Sequence, residues 1–249
     1  MYRDKRVTLV LPTYNERDSI RASIVAFEDT GVVDEIIVVN NNAAVGTSEE
    51  VAPTSAIEVH EPSQGYGAAI RRGFREASGD LICVCEPDGT FNAEDIFKLL
   101  AYSQDIDVVY GSRTVGEFIW HGANMGFLLR FGNWAVAKLM EVMFNTNSLS
   151  DVGCTYRLAR REAIEILEPH FTVDGNFFGP EMMCLSVLAD LRIVQIPVNY
   201  RERVGHSSVT GDLVVAIGLG LRMIGLIFDH RFRARSIRRA IRAPGQHQT

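Results

Sequence analysis

Two carboxylates stand one residue apart at Glu86 and Asp88, directly after an apolar run at residues 81–85. In an extended chain both acidic groups of such a pair point to the same side. Mg²⁺ and Mn²⁺ prefer one or two carboxylates together with phosphate oxygens and water. Pro87 and Gly89 are also strong turn formers, so a polar turn that ends a strand is the alternative. Taken alone, the triplet favours the turn, and the surrounding elements must decide.

The elements that would position this pair follow an α/β pattern. Apolar runs at 7–11, 35–39, 57–59, 81–85 and 106–110 alternate with helical patterns at 16–28, 68–77 and 93–102. Continuous apolar strands separated by helices predict a mostly parallel sheet with helices on both faces. Ligands bind at the carboxyl ends of the strands in such sheets. Residues 12–16, 40–42, 86–88 and 111–113 should therefore share one edge.

The rest of the chain is expected to form one domain with a different C-terminal segment. An amphipathic stretch covers 120–144, helices are predicted at 161–167 and 181–189, and a strand is predicted at 192–198. No linker divides the first 205 residues. We therefore expect a catalytic domain at 1–208 and a separate segment at 209–249.

Residues 213–228 are nearly all apolar, but they fall short of the ~20 residues that a membrane-spanning helix needs. One interpretation is an amphipathic helix buried on the domain, and the other is a helix in a membrane interface. Residues 230–249 hold six arginines and no acidic residue, which tilts the choice slightly toward the membrane.

Composition sets outer limits on function. The chain has 249 residues, is 47% hydrophobic and carries a net charge of −6. Without the C-terminal arginines, 19 of the 25 basic residues remain against 31 acidic ones. An acidic globule with a basic tail is a poor general binder of nucleic acid, although the tail could meet an anionic membrane surface.

The cysteines and the N-terminus indicate a cytoplasmic protein. The four cysteines form no Cys-x-x-Cys pair, and buried thiols in a reducing compartment explain them better than disulfides or zinc. Pro12 interrupts the first apolar run, so we expect neither a signal peptide nor a membrane span there.

Four motifs occur in an order that resembles a known family. They are Leu11-Pro12-Thr13-Tyr14-Asn15-Glu16, Glu86-Pro87-Asp88, Gly111-Ser112-Arg113 and Pro197-Val198-x-Tyr200-Arg201. Together they resemble inverting family 2 glycosyltransferases of the Rossmann-like GT-A fold, in particular the branch of dolichol-phosphate mannosyltransferase and polyprenyl-phosphate glycosyltransferases. The resemblance implies transfer of a sugar from a GDP- or UDP-linked donor to a polyprenyl phosphate.

The resemblance also implies a cation site. It places Mg²⁺ or Mn²⁺ on Glu86 and Asp88, with Thr90 as a third oxygen ligand. A departing nucleoside diphosphate needs such a cation to neutralise its charge. Glu86 departs from the family pattern, in which Asp is usual, and could contact the nucleotide instead.

The resemblance places Pro12, Tyr14 and Glu16 at the nucleoside contacts of the family. The further residues expected to bind the nucleotide are Asn40, Asn42, Arg71 and Glu86. An ordinary turn between strand and helix, with Asn15 as a cap, is the alternative for residues 12–16. Relatives carry acids at 40–42, whereas amides also donate hydrogen bonds, so the base is not specified. The glycines at 65–73 are expected to pack a helix against the sheet rather than to bind phosphate.

Arginines are the expected phosphate ligands, because a guanidinium binds phosphate oxygens in bidentate fashion. The candidates for acceptor and phosphate binding are Arg113, Arg130, Arg203, His206 and Ser207. Asp151 is the best carboxylate for donor hydroxyls or for acceptor positioning, although it could simply cap a turn. The expected catalytic set is Asp88, Arg113 and Asp151.

The missing general base favours a phosphate acceptor. Residues 175–182 lack the Glu-Asp pair of relatives that glycosylate hydroxyls, and an anionic phosphate needs no base. One rival is a family 2 enzyme that uses Asp151 or Glu181 as base on a glycan hydroxyl. Another is a sugar-nucleotide-binding protein that has lost catalysis, as Glu86 and the 40–42 amides suggest. For the favoured interpretation we expect a peripheral enzyme at the cytoplasmic face of a membrane.

Overall fold

A mostly parallel sheet forms the centre of the protein. The computed structural model describes residues 1–120, 123, 127–146, 149–204 and 213–243. Within them the strands are β1 (Val7–Thr13), β2 (Glu35–Asn40), β3 (Ile57–His60), β4 (Leu81–Val84), β5 (Val108–Ser112), β6 (Arg157–Arg160) and β7 (Ile193–Pro197). Their spatial order is β3-β2-β1-β4-β6-β5-β7, and β6 runs antiparallel to both neighbours. The predicted α/β class is confirmed.

Helices cover both faces of this sheet. They are α1 (Arg17–Glu28), α2 (Thr47–Val51), α3 (Tyr66–Glu76), α4 (Ile96–Tyr102), α5 (Phe127–Phe144), α6 (Arg161–Leu167), α7 (Phe178–Leu188), α8 (Leu213–Phe232) and α9 (Ala234–Arg242). Apolar residues of α3 and α7 such as Ile70 and Met182 fill one core layer, and Ile24 of α1 and Leu99 of α4 fill the other. All seven residues of β1 are buried, as a strand covered on both faces requires.

Some elements differ from the sequence predictions. The short strand β6 was not predicted, because it is bounded by arginines and has no apolar run of its own. It forms because β4 and β5 supply hydrogen-bonding partners on both sides. The predicted helix at 93–102 begins with a 3₁₀ turn at Ala93–Asp95, and β5 begins at Val108 rather than at residue 106. The four cysteines are buried free thiols, as expected.

Helix α8 packs on the domain, against α5 and α7. Met223 and Ile227 are buried in the same core layer as α3 and α7. Arg242 of α9 forms an ion pair with Asp190 at 2.6 Å, which ties the last described helix to the end of α7. The predicted boundary between 208 and 209 lies outside the described residues. Among the helices that are described, none combines the length and the apolar character needed to cross a membrane.

Candidate active site

A cavity of about 750 Å³ opens at the carboxyl ends of β1, β2 and β4. Its polar wall comes from the segments that follow these strands, as the sequence predicted for this edge of the sheet, and from the segments after β3, after β5, before β6 and after β7. Its apolar wall comes from α5 and α8, which the sequence did not place here. The polar lining includes Pro12, Tyr14, Glu16, Asn41, Gln64, Tyr66, Glu86, Arg113, Thr155, Tyr200 and Arg203.

Acidic residues converge at the end of β4. Asp88 is 1% exposed, and its Oδ1 accepts hydrogen bonds from the Thr90 hydroxyl at 2.6 Å and the Thr90 amide at 3.0 Å. Its Oδ2 pairs with Arg203 Nη1 at 3.1 Å. Arg203 Nη2 also donates to Glu16 Oε1 at 2.8 Å. Thr90 therefore orients Asp88, and Arg203 is shared between the ends of β1 and β4.

Glu86 lines the cavity, as Glu16 does, whereas Asp88 is not part of the lining. Burial and the neighbouring charge of Asp88 raise its pKa from 4.5 to about 8. Burial and Asp88 disfavour the ionised form of Glu86, and a positive charge bound beside it would favour that form. In the part of the chain that is described, no three His, Cys, Asp or Glu side chains are grouped to hold a metal ion. Any cation at Glu86 and Asp88 would need further ligands from a substrate.

Arg113 and Asp151 form a buried bidentate pair. Arg113 Nε donates to Asp151 Oδ2 at 2.9 Å and Nη2 donates to Oδ1 at 3.1 Å, while the Arg113 amide also donates to Oδ2. Burial raises the pKa of Asp151, but the charge and hydrogen bonds of Arg113 outweigh this effect and hold the pKa below its ordinary value. The Arg113 guanidinium also lies over the ring of Tyr200, 5.2 Å from its centroid. Arg113 lines the cavity, whereas Asp151 lies behind it and is 0% exposed.

The residues at and after the end of β1 border the acidic group through Arg203, which Glu16 shares with Asp88. Pro12, Tyr14 and Glu16 line it, as expected for nucleotide contacts. Glu16 Oε2 accepts from the amides of Tyr14 at 2.7 Å and Asn15 at 2.9 Å, so this carboxylate also shapes the turn. Residues 12–16 therefore form the turn between β1 and α1 and at the same time line the cavity, so the two interpretations of this segment do not conflict.

The three consecutive asparagines have separate tasks. Asn40 bonds to Glu58 at 2.8 Å and Asn42 bonds to Pro62 and Gln64, and neither residue lines the cavity. Asn41 lines it, but its amide group donates to the carbonyls of Glu61 and Ser63, both at 2.8 Å. Its Oδ1 accepts from the side chain of Gln64 and the amide of Gly65. Asn41 thus holds the 61–65 loop. Asn40 and Asn42, which were predicted to contact the nucleotide, lie outside the cavity lining.

Arg71 and Arg130 lie outside the cavity lining. Arg71 pairs with Asp174 at 2.9 Å on the side of α3. Arg130 is half-buried on α5, beside Gly116. His206 and Ser207 lie outside the described residues.

Glu181 does not face the cavity either. It is 0% exposed and accepts hydrogen bonds from the Thr172 amide and hydroxyl and from the Val173 amide. Its carboxylate therefore fixes the segment before α7. A general base needs a free lone pair within reach of substrate, and this geometry offers none.

Sequence reasoning missed Tyr66, Gln64 and Thr155 as cavity residues, although all three stand within or next to motifs that it noted. The sequence motifs drew attention to neighbouring residues instead, namely the glycines at 65 and 67 and Asp151. The apolar wall from Ala216 to Ile224 had a hydropathy signal, but nothing in the sequence indicated which surface it would cover.

This geometry agrees with what comparison with known proteins finds. Residues 8–167 match the model of the glycosyl transferase family 2. The chain belongs to this family and is a glycosyltransferase.

Named relatives come from several organisms. The low-salt glycan biosynthesis hexosyltransferase Agl6 of Haloferax volcanii is 29% identical over 89% of this chain, which spans 58% of that protein. The undecaprenyl-phosphate mannosyltransferase of Micrococcus luteus is 27% identical over 84% of this chain and 89% of its own length.

A solved structure supports the fold. Glucosyl-3-phosphoglycerate synthase of Mycobacterium tuberculosis, in complex with Mn²⁺, UDP and phosphoglyceric acid, superimposes with a TM-score of 0.71 at 17% identity. The similarity covers 92% of this chain and 79% of that one. The GT-A fold predicted from the motifs is therefore confirmed.

Proposed function

We propose that this glycosyltransferase moves a sugar from a nucleoside diphosphate sugar to the phosphate of a polyprenyl chain, with inversion at the anomeric carbon. The observation that carries the proposal is the shape of the cavity. Its polar end holds Glu86 and Arg113, and its wall continues along α5 and α8 as an apolar trough. A lipid phosphate has a charged head and an apolar tail, and it would fill both parts. The undecaprenyl-phosphate relative supports the same acceptor class.

The donor diphosphate would lie over the ends of β1 and β4, with its nucleoside toward Pro12 and Tyr14. Glu86 and Asp88 would hold Mg²⁺ or Mn²⁺, and Thr90 would orient Asp88. The residues fit a cation, because Glu86 carries a raised pKa beside a second carboxylate. A site with two carboxylates is typical of ions that take their other ligands from phosphates and water. When bound, the ion would neutralise the charge of the leaving diphosphate.

Transfer would need no general base. An oxygen of the acceptor phosphate would attack the anomeric carbon, and the bond from that carbon to the diphosphate would break with its electron pair leaving on the nucleoside diphosphate. Because the phosphate is already ionised at neutral pH, no proton has to be removed. Arg113, held by Asp151, would position the attacking phosphate, and Arg203 would help to close the site over the diphosphate. Further candidates for phosphate contacts are Arg130, His206 and Ser207.

Two buried carboxylates count against a hydroxyl acceptor. Asp151 is engaged by Arg113 and by the amide of Gly153, and Glu181 accepts three hydrogen bonds. The lowered pKa of Asp151 makes its carboxylate a weaker base than an ordinary aspartate. Both groups favour the phosphate acceptor as the better explanation of this site.

A membrane surface is the proposed location, at its cytoplasmic face. Residues 1–208 would form the catalytic unit, and 209–249 would face the lipid. Ile217 and Leu221 line the trough and are 55% and 64% exposed, so the trough opens along α8. Phe232 is 81% exposed next to the arginines of α9. Exposed apolar side chains beside arginines suit the headgroup region of an anionic bilayer.

The test is a product analysis. The protein is incubated with Mn²⁺, radiolabelled UDP-glucose or GDP-mannose, and undecaprenyl phosphate in detergent. We expect a lipid-linked sugar that mild acid releases, since a glycosyl phosphate is acid-labile. A stable glycosidic product would identify a hydroxyl acceptor instead. Binding of the donor without any turnover, unaffected by Asp88→Ala or by removal of the metal, would indicate a protein that has lost catalysis.

The trough can be tested separately. Leu221→Asp places a charge in the trough, and Val142→Asp is a matched control, because Val142 is exposed on α5 and does not line the cavity. We expect Leu221→Asp to raise the KM for undecaprenyl phosphate by about tenfold or more, as burying one charge in an apolar site costs several kcal/mol. The KM for the donor should not change in either variant.

A further inference from the structure

Among the residues that the structure describes, two hydroxyl groups in the cavity wall have no hydrogen bond of regular geometry. They are Tyr66 Oη and Thr155 Oγ1, and both atoms are hidden from solvent. The two hydroxyls are neighbours: Thr155 is close enough to lower the pKa of Tyr66 as a hydrogen-bonding group, but the contact between them lacks regular hydrogen-bond geometry. A buried hydroxyl without a partner is unfavourable in a folded protein, and at a cavity wall it points to a ligand that supplies the missing bond.

The hydroxyl pair and Glu86 line the same cavity. β4 and β6 pair antiparallel, and their last pair joins Val84 to Arg157. Glu86 and Thr155 each lie two residues beyond this pair, at the end of the sheet that borders the cavity. Burial raises the pKa of Tyr66, the charge of Arg157 lowers it, and the charge of Glu86 makes a smaller contribution that raises it. The hydroxyl pair and the cavity carboxylate therefore belong to one small region.

Both hydroxyls are held on rigid backbone. The amides of Gly67 and Ala68 donate to the carbonyl of Asp174, and a side chain at Gly65 or Gly67 would collide with the 173–174 backbone. These glycines thus bring the first turn of α3 against the segment before α7. They serve close packing, as the sequence analysis expected, and they fix the position of Tyr66.

Thr155 is fixed from below by a buried arginine. Arg157 is 2% exposed and donates to the carbonyls of Cys154 at 3.0 Å and Thr155 at 3.3 Å. The guanidinium is directed at backbone rather than into the cavity, and its positive charge lowers the pKa of the nearby Tyr66 hydroxyl, against the larger effect of burial. A pair of uncharged hydroxyls suits a ligand hydroxyl better than a phosphate oxygen, since hydroxyls both donate and accept.

We infer that Tyr66 and Thr155 bind a hydroxyl group of the transferred sugar and thereby contribute to the choice of donor. This inference rests on the proposed function, because it takes the donor to be a nucleotide sugar. The arginines of the site serve phosphates, the loop after β1 serves the nucleoside, and the hydroxyl pair lies beside the carboxylate that would face the diphosphate. A hexose hydroxyl that donates to Thr155 Oγ1 and accepts from Tyr66 Oη satisfies all three groups at once.

The first measurement concerns the protein without ligand. Tyr66→Phe and Thr155→Val each remove a hydroxyl without changing the shape of the side chain. We expect the melting temperature to stay the same or to rise, because no hydrogen bond is lost. Tyr110→Phe is the matched control, since the Tyr110 hydroxyl bonds to Ser186 at 2.9 Å in the core and its removal should lower the melting temperature. A drop of the same size in Tyr66→Phe or Thr155→Val would show a structural bond and overturn the inference.

The second measurement compares nucleotide with nucleotide sugar. UDP and UDP-glucose, or GDP and GDP-mannose, are titrated by calorimetry with Mn²⁺. We expect both variants to bind the bare nucleotide like the wild type and to lose about 3- to 10-fold in affinity for the nucleotide sugar, as is typical of one neutral hydrogen bond. Equal loss for both ligands, or no loss for either, would overturn the inference.

Deoxy-sugar donors identify the hydroxyl. For the wild type, one of the 2-, 3-, 4- or 6-deoxy analogues should bind as weakly as the intact donor binds to Tyr66→Phe. The Tyr66→Phe variant should bind this analogue and the intact donor with equal affinity. If every analogue weakens wild type and variant alike, the pair does not contact the sugar and the proposed function still stands. If the wild type binds no nucleotide sugar, both proposals fall.

Discussion

Arg203 donates to Asp88 at 3.1 Å and thereby closes the acidic end of the cavity. The same guanidinium donates to Glu16 at 2.8 Å, so a single cation serves carboxylates that follow two different strands. The segment that carries Arg203 is fixed by hydrogen bonds from the Arg201 amide to Thr90 and from the Val204 amide to Asp88. The arginine therefore neutralises Asp88 at the place that we propose for a divalent ion.

We expect Arg203→Gln to destabilise the ligand-free protein by about 2 kcal/mol, since it leaves the nearly buried Asp88 without a counter-charge. Mn²⁺ should restore more stability to this variant than to the wild type, because the arginine no longer competes for Asp88. Chemical denaturation with and without Mn²⁺ measures both effects. Arg17→Gln is the control, because its pair with Asp18 is exposed and should contribute less than about 1 kcal/mol. Equal effects of Mn²⁺ on wild type and Arg203→Gln would contradict competition.

The raised pKa of Glu86 predicts how stability depends on pH. Burial and Asp88 raise its pKa from 4.5 to about 8, so the folded protein keeps a proton that the unfolded chain releases between these values. The free energy of unfolding should therefore fall as the pH rises through this range. Glu86→Gln cannot ionise, and its stability relative to the wild type should grow from pH 6 to pH 8.5. Urea denaturation at both pH values checks this prediction, and Glu94→Gln, an exposed site, is the control. A difference that does not change with pH would disprove it.

The Arg113–Asp151 pair predicts a large loss of stability when one partner is removed. Asp151→Asn leaves a buried guanidinium without its charge partner and should cost about 3–5 kcal/mol at pH 7. The lowered pKa of Asp151 means that this contribution is present at neutral pH and is lost only as the pH falls below the ordinary value of 3.8. Asp190→Asn breaks an exposed pair and should cost less than about 1 kcal/mol. Similar losses in the two variants would show that Asp151 is not the anchor of Arg113.

Asn41 gives a prediction about the loop at 61–65. Asn41→Asp removes both donors to the carbonyls of Glu61 and Ser63 and faces them with a negative charge, so we expect a loss of about 2 kcal/mol. Asn42→Asp makes the same chemical change at an exposed position and should cost well under 1 kcal/mol. Thermal unfolding of the two variants gives the comparison. If Asn41→Asp is tolerated and tightens nucleotide binding, Asn41 contacts the nucleotide rather than the loop.

The sequence predicted the sheet edge of the site well, because parallel strands bring their carboxyl ends together without any long-range information. Glu86, Arg113 and the residues after β1 could be placed by this rule alone. The partners of these residues could not, since Arg203 reaches Asp88 from a distant loop and Thr155 reaches the cavity through β6, a strand with no apolar signature. Whether a side chain faces the cavity or the loop beneath it depends on packing, which is why Asn41 lines the cavity and Asn40 and Asn42 do not.

Helix α8 shares the domain core through Met223 and Ile227 while Ile217 and Leu221 border the trough. The helix cannot swing away from the domain without exposing buried side chains, so it is a poor candidate for a hinged lid. A long apolar ligand would therefore bind beside α8 through the exposed side of the trough, without any movement of the helix. Only the part of the hydrocarbon chain next to its phosphate would then have to fit the trough. The far end of the ligand could remain in the membrane.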